Sequence, residues 1–239
     1  MLKNIVIIGC SGAIGSALVN QLAISNPDAK IHAFSQKALN FEHQNVQVNT
    51  IDYHSEKSIE QAAVLASKDI PLDLVFVATG ILHDDNVKPE KSLKELSVEK
   101  FQYLFSVNTI IPAIIAKHFI PILNKEKRSM FAVLSARVGS ISDNQLGGWY
   151  SYRASKAALN MIIKNAAIEI GRRNKEVIIV GLHPGTVDSQ LTKPFQNNVP
   201  EGQLFTPDYS AEKLLDVLAG LTPRDSGNFF AWDGEEITP

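Results

Sequence analysis

Hydrophobic and polar positions along this 239-residue chain switch repeatedly between two periods. Short β-branched runs alternate with stretches whose apolar residues recur every three or four positions, the marks of strand and helix. Asn4–Ile8 is the first such run, as expected of a strand buried on both faces. It ends in Gly9-Cys10-Ser11-Gly12-Ala13-Ile14-Gly15, after which Ala17, Leu18, Leu22 and Ala23 continue from Ile14 at helical spacing. Residues 30–34, 46–51 and 74–78 predict three more strands, with a helix at 58–66. A long helix is predicted over 98–123, where Phe101, Leu104, Phe105, Asn108, Ile111, Ile115 and Phe119 fall near one stripe. Pro112 lies inside it and should kink it. Strands at 130–135, 177–182 and 228–232 bracket two further helices, 150–172 and 206–221, the second opened by Thr206-Pro207. Residues 81–94 and 141–148 read as loops. Residues 190–205, with two prolines, read as a mobile flap over a pocket.

Strand and helix alternate without a composition break, which predicts one α/β domain over residues 1–239. Its core would be a doubly wound parallel β-sheet with helices on both faces and ligands at the carboxyl ends of the strands. Gly9, Ser35, Asp52, Gly80, Ser135 and Pro184 all fall at such ends. The glycine turn between the first strand and helix presents backbone N–H groups and a positive helix end to an anion, as a dinucleotide pyrophosphate requires. About twenty residues on, an NAD-specific fold carries a carboxylate for the ribose hydroxyls. Here the chain has Ser35-Gln36-Lys37, a hydroxyl, an amide and an ammonium, which reads as NADP(H) in preference to NAD(H). Asp52 suits either the adenine amino group or a helix cap near Ser55.

The candidate chemistry is Tyr152 with Lys156 four residues later, on one face of a helix. A phenol titrates near pH ~10 and is a poor acid or base at neutrality; a neighbouring ammonium favours the phenolate and makes proton transfer feasible. Asn108 is the polar member of an apolar stripe, beside the backbone groups that a Pro112 kink would free, and ordered water fits there.

The remaining composition mostly excludes. Hydrophobic residues are 45%, charged residues 20% and net charge is −2, so neither nucleic acid nor an anionic membrane is expected as partner. The single Cys10 excludes an internal disulfide and a cysteine-built metal site. Six histidines, His183 included, lack metal-ligand spacing, and there is no Gly-x-Ser-x-Gly hydrolase elbow. No uninterrupted apolar run approaches the ~18 residues of a membrane span. The N-terminal run is too short for a signal peptide, so the cytoplasm is expected.

The glycine turn, Ala78-Thr79-Gly80, Asn108, Tyr152-x-x-x-Lys156 followed by Ala-Ala-Leu, and Pro184-Gly185 occur in this order along the chain. In that set the chain resembles the short-chain dehydrogenase/reductase family over essentially its full length. Ser-Ala-Arg-Val-Gly-Ser-Ile, Gly-Gly-Trp-Tyr-Ser-Tyr and Phe-Phe-Ala-Trp-Asp-Gly look like its C-factor-like, carbonyl-reductase-like branch. The resemblance implies an NAD(P)-dependent oxidoreductase interconverting a carbonyl and an alcohol, with a small-molecule substrate and a homodimeric or homotetrameric assembly. Tyr152 would protonate the carbonyl oxygen as hydride arrives. Lys156 would lower the tyrosine pKa and bond the nicotinamide ribose. Asn108 would hold a proton-relaying water. Gly9, Ser11, Gly12, Ile14 and Gly15 would wrap the pyrophosphate; Ser35 and Lys37 would meet the 2′-phosphate, and Asp52 the adenine. Ala78, Thr79, Gly80, Pro184, Gly185, Val187 and Ser189 would complete the cofactor site. Tyr150, with Ala154 four residues on, would be pocket wall. The chain departs from the family at the serine that normally polarises the substrate: the usual pair is here Ser135-Ala136, leaving Ser135 or Ser140 to take that role. That departure keeps open a second reading, a cofactor-binding regulatory or cell-signalling protein with incidental turnover.

Overall fold

Pairing the β-branched runs side by side gives a seven-stranded sheet, parallel throughout, in the computed structural model, which describes residues 2–85 and 87–239. Its strands are β1 (Asn4–Ile8), β2 (Lys30–Ser35), β3 (Val46–Thr50), β4 (Leu74–Val77), β5 (Ser129–Leu134) and β6 (Val177–His183). Two short strands, β7 (Thr186–Val187) and β8 (Leu204–Phe205), pair only with each other, and β9 (Phe229–Ala231) closes the main sheet. The spatial order β3-β2-β1-β4-β5-β6-β9 reverses at β1, which opens a crevice at the carboxyl edge there. Ile8 sits opposite Phe34 on one side and Val77 on the other. Gly9, Ser35 and Ala78 therefore leave the sheet side by side.

Strand alternation splits β1 between two cores. Ile5 and Ile7 face one apolar cluster with Leu18, Leu22, Phe76 and Leu214, while Val6 and Ile8 face another with Phe34, Phe119, Phe131 and Ile163. Each such fully buried large side chain contributes about 1.5–3 kcal/mol. Helices α1 (Ala13–Ser25) and α6 (Pro207–Gly220) cover the first face. The second is covered by α2 (Glu56–Ser67), α4 (Ile111–Phe119) and α5 (Tyr150–Gly171). Helix α3 (Val98–Phe105) leads into α4. Ser55 caps α2 by accepting from the Ser58 N–H, and Thr206 caps α6 by accepting from Tyr209. Asp52 instead closes a turn onto the His54 N–H at 2.9 Å.

The long helix predicted over 98–123 is distorted where Pro112 falls, although not as a simple kink. Pro112 has no N–H, so the Asn108 carbonyl loses its helical donor. The chain responds with a π-turn over Ser106–Ile110, in which the Ile111 N–H reaches back five residues to the Ser106 carbonyl. Because this turn keeps the helix continuous, Val98–Ile122 forms a run of 25 residues whose most apolar 18-residue window has a mean hydropathy of 1.4, long and apolar enough by those measures to cross a bilayer. Ile115 and Phe119 of this helix are fully buried in the core. The flap carries a 3-10 turn at Lys193–Asn198, and its base is closed by the β7–β8 pair.

His32 is a polar residue inside this apolar frame. It is fully buried on β2, stacks on Phe34 at 6.3 Å, and has no hydrogen-bond partner for either ring nitrogen among the described residues. Burial, helped by the Lys30 ammonium and opposed by Asp69, pushes its pKa down to about 4. The unfolded chain then binds more protons between pH 6.5 and 4, so stability falls as pH drops through that window. Lowering the pH from 7 to 5 is expected to cost about 2 kcal/mol through this residue. Urea unfolding at both pH values checks it: His32→Leu should remove about that much of the pH dependence, and an unchanged slope would refute the assignment.

Candidate active site

Helix α5 begins abruptly. Gly147, Gly148 and Trp149 take φ values of 64°, 66° and 50°, three left-handed residues in succession. This turn sets the helix so that Tyr152 and Lys156, 8% and 3% exposed, lie beneath the carboxyl end of β5. Lys156 Nζ sits 6.0 Å from the Tyr152 ring centroid and donates to the Leu134 carbonyl at 2.9 Å. Asn108 is fully buried in the π-turn. Its Oδ1 accepts from the Ile81 N–H at 2.8 Å, and its Nδ2 donates to the Ile81 carbonyl at 2.8 Å and to Ser155 Oγ at 3.2 Å. A methyl group placed on Gly80 would lie 3.5 Å from both Asn108 Oδ1 and Lys156 Nζ. Gly80, Asn108, Lys156 and Tyr152 thus converge on one small volume.

Electrostatics in that volume are set by dryness. Burial pushes the Tyr152 phenol up and the Lys156 ammonium down, from 10.5 to about 8. The expected lowering of the phenol by its lysine neighbour is therefore corrected: desolvation of the phenol dominates in this structure.

The two candidate serines are engaged elsewhere. Ser135 Oγ donates to Asn160 Oδ1 at 2.6 Å, across to α5. Ser140 Oγ donates to the Thr238 carbonyl and accepts from the Asp143 N–H at 3.0 Å. Ala136, one residue beyond Ser135, packs with the Leu82, Leu104 and Tyr152 cluster. Alternation along the emerging strand explains this, because neighbouring side chains point opposite ways. A methyl group stands at the wall beside the tyrosine.

Several residues of this site were invisible to pattern reading. Phe195 of the flap sits 5.0 Å from Trp149 and 5.5 Å from His83, centroid to centroid, and His83 Nε2 hydrogen-bonds the Leu191 carbonyl at 3.0 Å. Trp149 packs edge-on to Tyr152 at 6.2 Å. Glu90, fully buried, bonds to Ser151. The only available signal was the aromatic content of the flap and of the Trp149–Tyr152 run.

The glycine turn has the form of an anion cradle. A Cβ on Gly15 would stand 2.3 Å from the Gly9 carbonyl oxygen, and Gly9, at φ 93°, would meet the Ala78 backbone at 2.9 Å. The turn closes with the Gly12 N–H on the Gly9 carbonyl at 3.0 Å. No side chain caps α1, and no acidic residue occupies its first turn. Ser11 and Gly12 are exposed there and Ile14 is half-buried. Thr79 Oγ1 is buried without a partner among the described residues, at the same strand edge. These features fit a dinucleotide phosphate. Ser35 is buried and accepts from the Lys37 N–H at 3.1 Å, so its hydroxyl braces the turn, whereas the Gln36 and Lys37 side chains are exposed. On the other side of the crevice, the Pro184 carbonyl accepts from Ser210, and Gly185 at φ 75° packs against Phe205. Val187 is buried, and its carbonyl and the Ser189 N–H both bond to Thr192. Among the described residues no His/Cys/Asp/Glu cluster could hold a metal ion.

The family model for short chain dehydrogenase matches residues 3–200. The chain belongs to that family. It is 35% identical over 185 residues to the 1-hydroxy-2-glutathionyl-2-methyl-3-butene dehydrogenase of Rhodococcus sp. strain AD45, covering 77% of this chain and 76% of that one. It is 34% identical over 133 residues to C-signal of Myxococcus xanthus, covering 56% and 75%. In structure it superposes on the NADPH-bound carbonyl reductase from chicken fatty liver with a TM-score of 0.83 at 23% identity, over 100% of this chain and 99% of that one. The short-chain dehydrogenase chain is an oxidoreductase acting on CH–OH or C=O groups, of a family that binds NAD(P).

The buried lysine carries a testable cost. Its folded pKa lies below the unfolded one, so the buried ammonium destabilises the fold below about pH 8, and the penalty is relieved as pH rises toward 10.5. Lys156→Met keeps the volume, loses one hydrogen bond and removes the charge. At pH 7 it should be about 1–2 kcal/mol more stable than the parent in urea unfolding; a less stable variant would refute this.

Proposed function

We propose that the chain reduces a small carbonyl compound with NADPH, Tyr152 donating the proton. The observation that carries this is the convergence of Tyr152, Lys156, Asn108 and Gly80 at the strand edge that also holds the glycine cradle. NADPH held at the glycine cradle would supply the hydride for the carbonyl carbon. Tyr152 gives its hydroxyl proton to the carbonyl oxygen. Lys156, dry and with its proton loosely held, is placed to bond the ribose and to restore that proton. Asn108 holds the Ile81 backbone in place and, with the π-turn, gives water a polar foothold beside Lys156. Leu82, Leu104, Val138, Trp149 and Phe195 exclude bulk water and favour an apolar substrate body. With Ala136 at the wall, the substrate oxygen has one side-chain donor where the family normally provides two.

The NADP(H) preference rests on the absence of a carboxylate at the end of β2 and the exposed Lys37; the chicken relative binds NADPH. Lys37 would pair with the 2′-phosphate, and Asp52 would meet the adenine. Exposed Met161 and Ile168 on α5 support assembly with further copies of the chain. Ala136 and the likeness to C-signal favour a second reading, a signalling protein of this fold with incidental turnover.

One assay separates the two readings: NADPH oxidation measured over a panel of aldehydes and ketones, with NADPH binding followed in parallel. Tight binding with no oxidation on any of them would select the signalling reading. For the enzyme, Tyr152→Phe should lower kcat by about 1,000-fold while NADPH affinity stays within about twofold. NADPH should bind more tightly than NADH, and a preference for NADH would reverse the Lys37 assignment. Ala136→Ser restores the second donor and should raise kcat about tenfold or more; no gain would mean that the site already satisfies the oxygen.

A further inference from the structure

Glu90 lies between β4 and α3 and is fully buried. No lysine, arginine or histidine pairs with it among the described residues. A buried carboxylate without a cation is expensive. Its compensation is the start of α5. Oε1 accepts from Ser151 Oγ at 2.6 Å and Oε2 from the Ser151 N–H at 3.2 Å, while the Glu90 main-chain carbonyl accepts from the Trp149 N–H at 2.5 Å. The helix has no side-chain cap of its own, because its N-cap residue is Trp149. One residue from a distant segment thus meets two of the orphan donors that every helix start presents, and its negative charge faces the positive end of the helix.

Trp149 explains what the arrangement holds. A bulky residue at φ 50° is strained and persists only where its surroundings fix it. The Glu90 carbonyl fixes its N–H, and the Trp149 ring then braces Tyr152 from one side and Phe195 from the other. Ser151, which takes both carboxylate oxygens, is the residue before Tyr152. The other end of the same segment is tied to Asn108 through Ile81. Ile81 thus contacts the π-turn and Glu90 the first turn of α5.

We propose that Glu90 is a positioning residue for Tyr152: through Ser151 and Trp149 it sets the first turn of α5, and with it the direction in which the tyrosine hydroxyl points. The role rests on the reading of Tyr152 as proton donor.

The test uses the full-length chain with Glu90→Ala and Glu90→Gln, the second keeping one acceptor. NADPH with 4-nitrobenzaldehyde gives kcat and KM, fluorescence titration gives the NADPH Kd, and amide hydrogen exchange at residues 149–170 needs no turnover. In Glu90→Ala we expect kcat to fall about 100-fold with KM and NADPH Kd within about twofold. The Trp149 and Ser151 amides should exchange at least about tenfold faster, with residues 160–170 unchanged. Glu90→Gln should recover about tenfold of the lost kcat. A kcat in Glu90→Ala within about threefold of the parent overturns the role. So does loss of NADPH binding together with protection along all of α5, the mark of a purely structural residue. Parent protein without turnover on 4-nitrobenzaldehyde or on any member of the aldehyde and ketone panel would overturn the carbonyl-reduction reading itself. Normal parent turnover with an unchanged variant would overturn the role of Glu90 alone.

Discussion

Parallel pairing obliges each strand to be followed by a crossover, so every strand delivers its carboxyl end to the same edge of the sheet. The rest of the molecule depends on that constraint. Ile8, Phe34 and Val77 share one level of the ladder, and Gly9, Ser35 and Ala78 must therefore emerge together. Leu134 and Leu182 do the same farther along, which brings Ala136 and Pro184 to the same rim. Groups more than a hundred residues apart in sequence become neighbours without any contact having to draw them there.

Onto that rim the helices bring groups that gain little by being there. Lys156 is buried with a single hydrogen bond to a carbonyl, and Tyr152 has a hydroxyl in a largely apolar cluster. Asn108 sits in a π-turn imposed by a proline four residues later. Trp149 occupies a left-handed conformation. Each departure is held by something nearby: the Leu134 carbonyl, the aromatic wall, the Ile81 backbone and the Glu90 carbonyl. The apolar cores on either face of the sheet supply the stability against which these local costs are set.

The fold was legible because its information is local and periodic. β-branched runs and helical stripes predict each main strand and helix to within a few residues, and the doubly wound order follows from their alternation. The placement of Tyr152, Lys156 and Asn108 on helix faces was legible through their spacing. What could not be read depends on contacts between distant segments. The serine question turned on which way one residue faces after a strand ends: Ser135 bonds to Asn160 and Ser140 to the Thr238 carbonyl. The phenol's shift depends on how dry the site is, which no spacing rule reports. Glu90 looked like one charge among many in a polar loop, since its partner lies sixty-one residues away. Pro112 announced a distortion, but whether it would kink the helix or widen a turn was decided by the packing around Asn108.

The base of the flap has a consequence of its own. Thr186 pairs with Leu204 and Val187 with Phe205, so the chain leaves and re-enters at a closed ladder. The excursion between them is an Ω-loop whose ends are already joined, and the entropy of closing such a loop grows only slowly with its length. Insertions and deletions inside it therefore leave the main sheet undisturbed. The flap and the main sheet are encoded in separable stretches of sequence, so that one can diverge while the other stays fixed.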